Sequence, residues 1–96
     1  MSKEFCGTPG PWVNNNGGVF TEDYAVGDEV FFDHICDCEV INGESHNAQL
    51  ISAAPEMLES LQEMVGSLGV MVKDPENCHE IIKARAAIAK ALGKKQ

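Results

Sequence analysis

Cys36-Asp37-Cys38, with His34 two residues earlier and Cys78-His79 far downstream, is the one constellation in this chain with the makings of a metal site. Alternate residues of a β-strand point to one face. An extended segment here is therefore expected to project His34, Cys36 and Cys38 together. Zinc takes four sulfur or nitrogen donors in a tetrahedron, and Cys78 or His79 would have to complete it. Two features weigh against that. The pair is Cys-x-Cys rather than the better attested Cys-x₂₋₄-Cys, and two adjacent residues do not converge easily on one ion. Reduced cysteine is also a common buried small hydrophobe. The expectation is no bound metal and no other cofactor, with Cys36, Cys38, Cys78 and His79 as the residues to test. Cys6 reads as a reduced thiol outside any site.

The same side chains offer a cysteine nucleophile and a histidine base on paper: Cys36, Cys38 or Cys78 with His34, His46 or His79. A nucleophilic thiol needs a depressed pKa, whereas the surrounding carboxylates raise it. Gly17-Gly18 lacks the downstream Lys and Ser/Thr of a phosphate-binding loop. The chain is expected not to be an enzyme.

The second chemistry is electrostatic. Between Lys3 and Lys73 there is no lysine or arginine, yet that stretch holds twelve carboxylates, and the whole chain carries a net charge of −8. Such a surface acts through summed potential on something basic. It disfavours direct binding to nucleic acid, where cations must neutralise phosphates, and binding to an anionic membrane. Residues 28–33 focus the idea. Read as a strand, they put Val30 and Phe32 on one face and Glu29, Phe31 and Asp33 on the other, with same-face neighbours about 7 Å apart. If Val30 and Phe32 enter the core, carboxylates flank an exposed ring, a stand-in for a nucleic-acid strand with a stacked base. The candidate partner-binding residues are Asp28, Glu29, Phe31, Asp33, Asp37 and Glu39. The competing reading turns Phe31 inward and leaves the acids to guard a sheet edge.

Positioning these residues falls to few elements. At 96 residues the chain fits one domain, 1–44 sheet and loops and 45–96 helical. No apolar stretch is long enough to span a bilayer, and Met-Ser-Lys-Glu does not open a signal peptide. A cytosolic protein with reduced cysteines is expected. Trp12-Val13 starts a strand, Asn14-Asn15-Asn16-Gly17-Gly18 tolerates the positive φ of a hairpin loop, and Val19-Phe20 returns. Residues 28–33 make a third strand, and Ile35–Ile41 allows a fourth.

From Ser45 the spacing becomes helical, through Leu50, Ile51, Ala54, Leu58, Leu61, Val65 and Leu68. Pro55 divides it, so a helix over 46–53 hands over to a second that begins at Pro55. Gly66, Gly69 and Lys73 read as the following turn. Asp74-Pro75-Glu76 reads as the start of a last helix, which Gly93 stops. Leu61 and Ile82 are expected in the core and Trp12 largely buried, while the final residues fray. Met57, Met64 and Met71 recur every seven residues, either as packing within the chain or as a seam between two copies. The expected fold is α+β, a small antiparallel sheet of three to four strands packed against two or three helices.

Thr8-Pro9-Gly10-Pro11-Trp12, the run Asn47-Ala48-Gln49-Leu50-Ile51-Ser52-Ala53-Ala54-Pro55-Glu56-Met57-Leu58-Glu59-Ser60-Leu61, and Arg85-Ala86-Ala87-Ile88-Ala89-Lys90-Ala91 resemble a class of short bacteriophage and prophage accessory proteins. The resemblance covers both ends and the helices but not residues 13–46, and it brings no catalytic residues. It implies a phage scaffold whose individual function lies in the acidic strand region. Small acidic phage proteins of this sort resemble anti-CRISPR proteins. That implies a host-cytoplasmic inhibitor whose partner is a host protein or ribonucleoprotein with a Lys/Arg-rich surface, a CRISPR surveillance complex. The alternative is an accessory module, zinc-binding or self-associating as a homodimer, with no defence target.

Overall fold

The computed structural model describes residues 5–94. The fraying expected at Lys95 and Gln96 lies outside them. The fold is α+β, with five short strands in two antiparallel sheets followed by three α-helices. Two compact units divide the chain, residues 8–56 and residues 57–94 together with 5–7, and the boundary falls in the first turn of the long helix.

In the first unit, β1 (Trp12–Asn15) and β2 (Gly18–Thr21) form a hairpin. Its two-residue turn has Asn16 at φ 53° and Gly17 at φ 94°. That double positive φ matches the twist of the flanking strands. A side chain on Gly17 would also meet Val40 Cγ2 at 2.5 Å, so the position admits only glycine.

β5 (His34–Asp37) pairs antiparallel with β2 and completes a three-stranded sheet in the order β1-β2-β5. The segment between them folds as its own hairpin, β3 (Tyr24–Val26) with β4 (Glu29–Phe31). Residues 28–33 are therefore not the third strand of the main sheet. Gly27, at φ 64°, makes the turn that sends them back on Tyr24–Val26 instead. Thr21 and Asp33 close the neck of this excursion. Thr21 N donates to Asp33 O at 2.9 Å, and Asp33 N donates to Thr21 Oγ1 at 2.8 Å.

A second Asn-Gly turn follows, with Asn42 at φ 55° and Gly43 at φ 80°, and delivers Ser45 to the start of α1 (His46–Ser52). Ser45 is buried, and its Oγ accepts from Ala48 N at 3.2 Å, an N-cap. Ser45→Ala is expected to cost about 1 kcal/mol, read as a lower urea midpoint with an unchanged slope. α1 packs on β1 and β2, and Val19 and Ala48 are this unit's fully buried apolar side chains.

α2 (Ala54–Met71) starts as the proline predicts, with Pro55 in its first turn, where a missing N–H costs nothing. A Cβ on Gly10 would meet Pro55 Cβ at 2.7 Å. The TPGPW turn and the AAPE segment are thus pressed together, which gives both motifs a scaffold role. Trp12 is only part-buried, correcting the deeper placement expected for it, and its Nε1 donates to Thr8 O at 3.3 Å.

Gly66 and Gly69 lie inside α2 rather than in a turn after it. The continuous hydrogen-bond ladder outweighs the roughly 1 kcal/mol that each glycine costs a helix. The last helix also starts later than expected. Pro75–Asn77 is a single 3₁₀ turn, and α3 (His79–Ala91) begins after Cys78. Ile81 is 1% exposed and Ile82 48%, so the buried isoleucine is the first of the pair. Leu61 is part-buried. Glu76 accepts from Arg85 Nη1 at 3.2 Å, joining the 3₁₀ turn to α3.

Candidate functional site

β-Structure positions both sets of candidate residues. For the cysteines, the pairing of β5 with β2 is decisive. Cross-strand partners share a face, and Val19 pairs with Cys36 while Phe20 pairs with His34. Val19 and Phe20 are consecutive and so point to opposite faces. The register slip between them is a bulge that sends His34 and Cys36 to opposite faces too. The expectation that His34, Cys36 and Cys38 project together is therefore overturned by one extra residue in β5. His34 stands over the Phe20 ring, with centroids 5.1 Å apart, and its Nε2 meets Asp37 Oδ1 at 3.0 Å.

Cys36 and Cys38 lie close enough to influence each other electrostatically. Burial pushes the Cys36 thiol above its ordinary pKa, and Cys38 and Asp37 push it the same way. That disfavours the thiolate which a nucleophile or a metal ligand requires. Cys78 and His79 sit at the start of α3 in the other unit, where the Cys78 thiol donates to Glu80 Oε1 at 3.6 Å. With its own backbone N–H as the main cause and Cys78 helping, Glu80 is held below the usual carboxylate range. Among the described residues no group of three or more His, Cys, Asp and Glu is arranged to hold a metal.

The acidic residues are placed differently. Asp28 and Glu29 occupy the tip of the β3–β4 hairpin, Phe31 its middle and Asp33 its neck, and all are exposed. Phe31 pairs with Tyr24 across the hairpin, ring centroids 6.0 Å apart, and is 40% exposed. Val30 and Phe32 do not enter the core: they are 64% and 58% exposed. Among the described residues β3 and β4 pair only with each other, and Phe32 stacks edge-on against Phe20 at 5.4 Å. Asp37 and Glu39 belong to the end of β5 and the segment beyond it, also exposed, and are not part of the hairpin.

Sequence reasoning missed three residues. Glu22, Asp23 and Tyr24, with Asp33, wall a cleft of about 330 Å³ whose far side is the Pro9-Gly10-Pro11 turn. Tyr24 donates its phenol O–H to Asp33 Oδ1 at 3.2 Å. Partial desolvation, with the Asp33 charge beside it, raises the pKa of that phenol. The available signal was the run Glu22-Asp23-Tyr24 ahead of the Gly27-Asp28 turn, which places an acid pair and a ring at the base of a hairpin.

The unit formed by residues 8–56 contains nine carboxylates and no lysine or arginine, and every one of those acids is exposed. Its two imidazoles stand beside carboxylates, His34 Nε2 3.0 Å from Asp37 and His46 Nε2 3.9 Å from Glu44. Chemically the arrangement offers a dense field of carboxylates with two aromatic rings set in it. Charge-assisted hydrogen bonds to ammonium and guanidinium groups are what such a surface makes best, with cation–π contact from Tyr24 and Phe31.

No helix among the described residues is long and apolar enough to cross a membrane. The family model described as Salmonella phage P22 protein Y8K6 matches residues 1–95. No curated protein and no solved structure matches the chain.

Proposed function

The chain belongs to the family of Salmonella phage P22 protein Y8K6, and from that premise we propose that it is a phage-encoded, non-enzymatic inhibitor of host defence. In this reading it is an anti-CRISPR protein of the host cytoplasm, occupying the basic surface with which a CRISPR surveillance complex holds nucleic acid. One observation carries the reading: nine exposed carboxylates on a unit of 49 residues that has no lysine or arginine of its own. With no lysine or arginine in the unit to pair with them, these acids are available to the lysines and arginines of a partner.

Each part of the β3–β4 hairpin has a role in the docking. Asp28 and Glu29 at its tip meet a lysine or arginine cluster first. Phe31 and Tyr24 take the place of stacked bases. The cleft between the 8–11 turn and Asp33 receives one long basic side chain. Asp37 and Glu39 extend the same field along the main sheet. Steering by such a field lifts association from the ordinary ~10⁵–10⁶ M⁻¹s⁻¹ toward ~10⁸ M⁻¹s⁻¹ at low salt. It fades as the Debye length falls below about 10 Å above 0.1 M salt. Inhibition then follows from occupancy alone, with fixed stoichiometry and no chemical step.

Tagged protein used as bait in a lysate of a CRISPR-bearing host tests the reading. Subunits of one surveillance complex are expected on the resin, released by salt. Recovery of no such subunit from hosts carrying each of the common CRISPR types would contradict it.

A further inference from the structure

Asparagine followed by glycine occurs twice in this chain, at Asn16-Gly17 and Asn42-Gly43. Both pairs sit in turns with positive φ, 53° and 94° at the first, 55° and 80° at the second. Both asparagines are exposed. By sequence and by backbone conformation the two sites are alike. They differ in what surrounds the glycine, whose backbone nitrogen is the group that attacks an asparagine side chain.

Gly17 is buried. A Cβ built there would meet Val40 Cγ2 at 2.5 Å and Cys38 O at 3.0 Å, so the backbone has no room to rotate. Its N–H donates to Asn14 Oδ1 at 3.1 Å, and its carbonyl accepts from Cys38 N at 2.8 Å. The turn also closes a hairpin that is paired over four positions. Gly43, by contrast, is exposed, and nothing lies within 4 Å of where its Cβ would be. Its turn is closed by one isolated bridge, with Ile41 N donating to Glu44 O at 2.7 Å and Glu44 N to Ile41 O at 3.1 Å. None of the backbone hydrogen bonds among the described residues holds Gly43 N. Opening this turn breaks a single bridge, whereas freeing Gly17 means disrupting the hairpin and its packing.

We propose that Asn42 is a site of spontaneous modification, deamidation through a cyclic imide, and that the fold protects Asn16 from the same reaction. Hydroxide takes the proton of Gly43 N. The nitrogen then attacks Asn42 Cγ, and glycine, with no side chain, leaves that approach open. A new N–C bond forms and the bond from Cγ to Nδ2 breaks, the amide nitrogen taking up a proton and leaving as ammonia. Water opens the imide. Addition at the Cγ carbonyl restores the ordinary backbone and leaves an aspartate. Addition at the backbone carbonyl leaves the chain running through the side chain, an isoaspartate with one more methylene in the main chain. The net change is one water consumed and one ammonia released, with no oxidant, reductant or enzyme.

Either product adds a carboxylate to the nine of residues 8–56. Isoaspartate also lengthens the turn that delivers buried Ser45 to its capping bond with Ala48 N. The reaction thus alters both the charge of the unit and the start of α1. This inference is independent of any host target.

Peptide mapping by mass spectrometry tests it, on the full-length protein aged in mildly alkaline buffer below its melting transition and on a parallel sample in concentrated urea. Enzymatic methylation counts the isoaspartate separately. In the folded protein Asn42 is expected to react roughly tenfold or more faster than Asn16, because one turn opens locally and the other only with its hairpin. In urea the two sites should react at comparable rates. The rate at Asn42 should rise with pH, as attack by a deprotonated nitrogen requires. Equal rates at Asn16 and Asn42 in the folded protein, or an Asn42 that stays intact there, overturns the proposal. A difference that persists in urea overturns the assignment of that protection to the fold.

Discussion

Glu29→Lys combined with Asp33→Lys is expected to abolish inhibition of CRISPR interference while leaving the fold in place. The double change moves the local charge by four units at two points of one hairpin, its tip and its neck. Where a partner offers lysine or arginine, two attractions become two like-charge contacts, which cost several kcal/mol across an interface. The fold should tolerate the change because Asp33 holds the neck through its backbone, donating to Thr21 Oγ1 at 2.8 Å and accepting from Thr21 N at 2.9 Å. Only the hydrogen bond from the Tyr24 phenol to the carboxylate is lost, and it is exposed. Glu29 is exposed in β4 opposite Val26. The checks are plaque counts of a targeted phage in a CRISPR-bearing host and the circular dichroism of the purified variant. Full protection by the double variant would remove the acidic hairpin from the account.

Ile81→Ala is expected to destabilise the protein by about 2–5 kcal/mol, because it empties a site from which solvent is already excluded. Ile81 is 1% exposed and sits in the first turn of α3, the largest fully buried side chain among the described residues. Ile82→Ala, one residue on and 48% exposed, should cost less than about 1 kcal/mol. Denaturant midpoints of the two variants decide the matter. Equal losses would mean that the buried face of α3 is misassigned.

The contrast between these neighbours marks where the sequence was legible. The sequence placed a last helix from Asp74-Pro75-Glu76 onward, and the structure begins it at His79. Two adjacent isoleucines lie about 100° apart on such a helix, so periodicity alone admitted either as the inner one. Ala84, Ile88 and Leu92 continue the Ile81 face and are part-buried. The helix break at Pro55 and the hairpin turn at Asn16-Gly17 were readable because each rests on a local steric rule that packing does not override.

The third strand was not readable, because Val30-Phe31-Phe32 has a stronger β character than His34-Ile35-Cys36-Asp37. What decided the pairing was a turn at Gly27-Asp28, which let the stronger segment close on Tyr24–Val26 and left β2 to the weaker one. The same rearrangement explains the site. Its acids were visible as a charge pattern, and their exposure followed. The cleft at Asp33 depends on a hairpin neck that no spacing announces. The bulge that separates His34 from Cys36 is likewise a property of pairing, invisible in either strand alone.

The measurement that bears most directly on the central claim is binding of the purified protein to a purified surveillance complex, with and without target DNA, at several salt concentrations. The account predicts binding at fixed stoichiometry, mutually exclusive with DNA and weakening steadily as salt rises. Binding that leaves DNA capture intact, or no binding even at low salt, would contradict it.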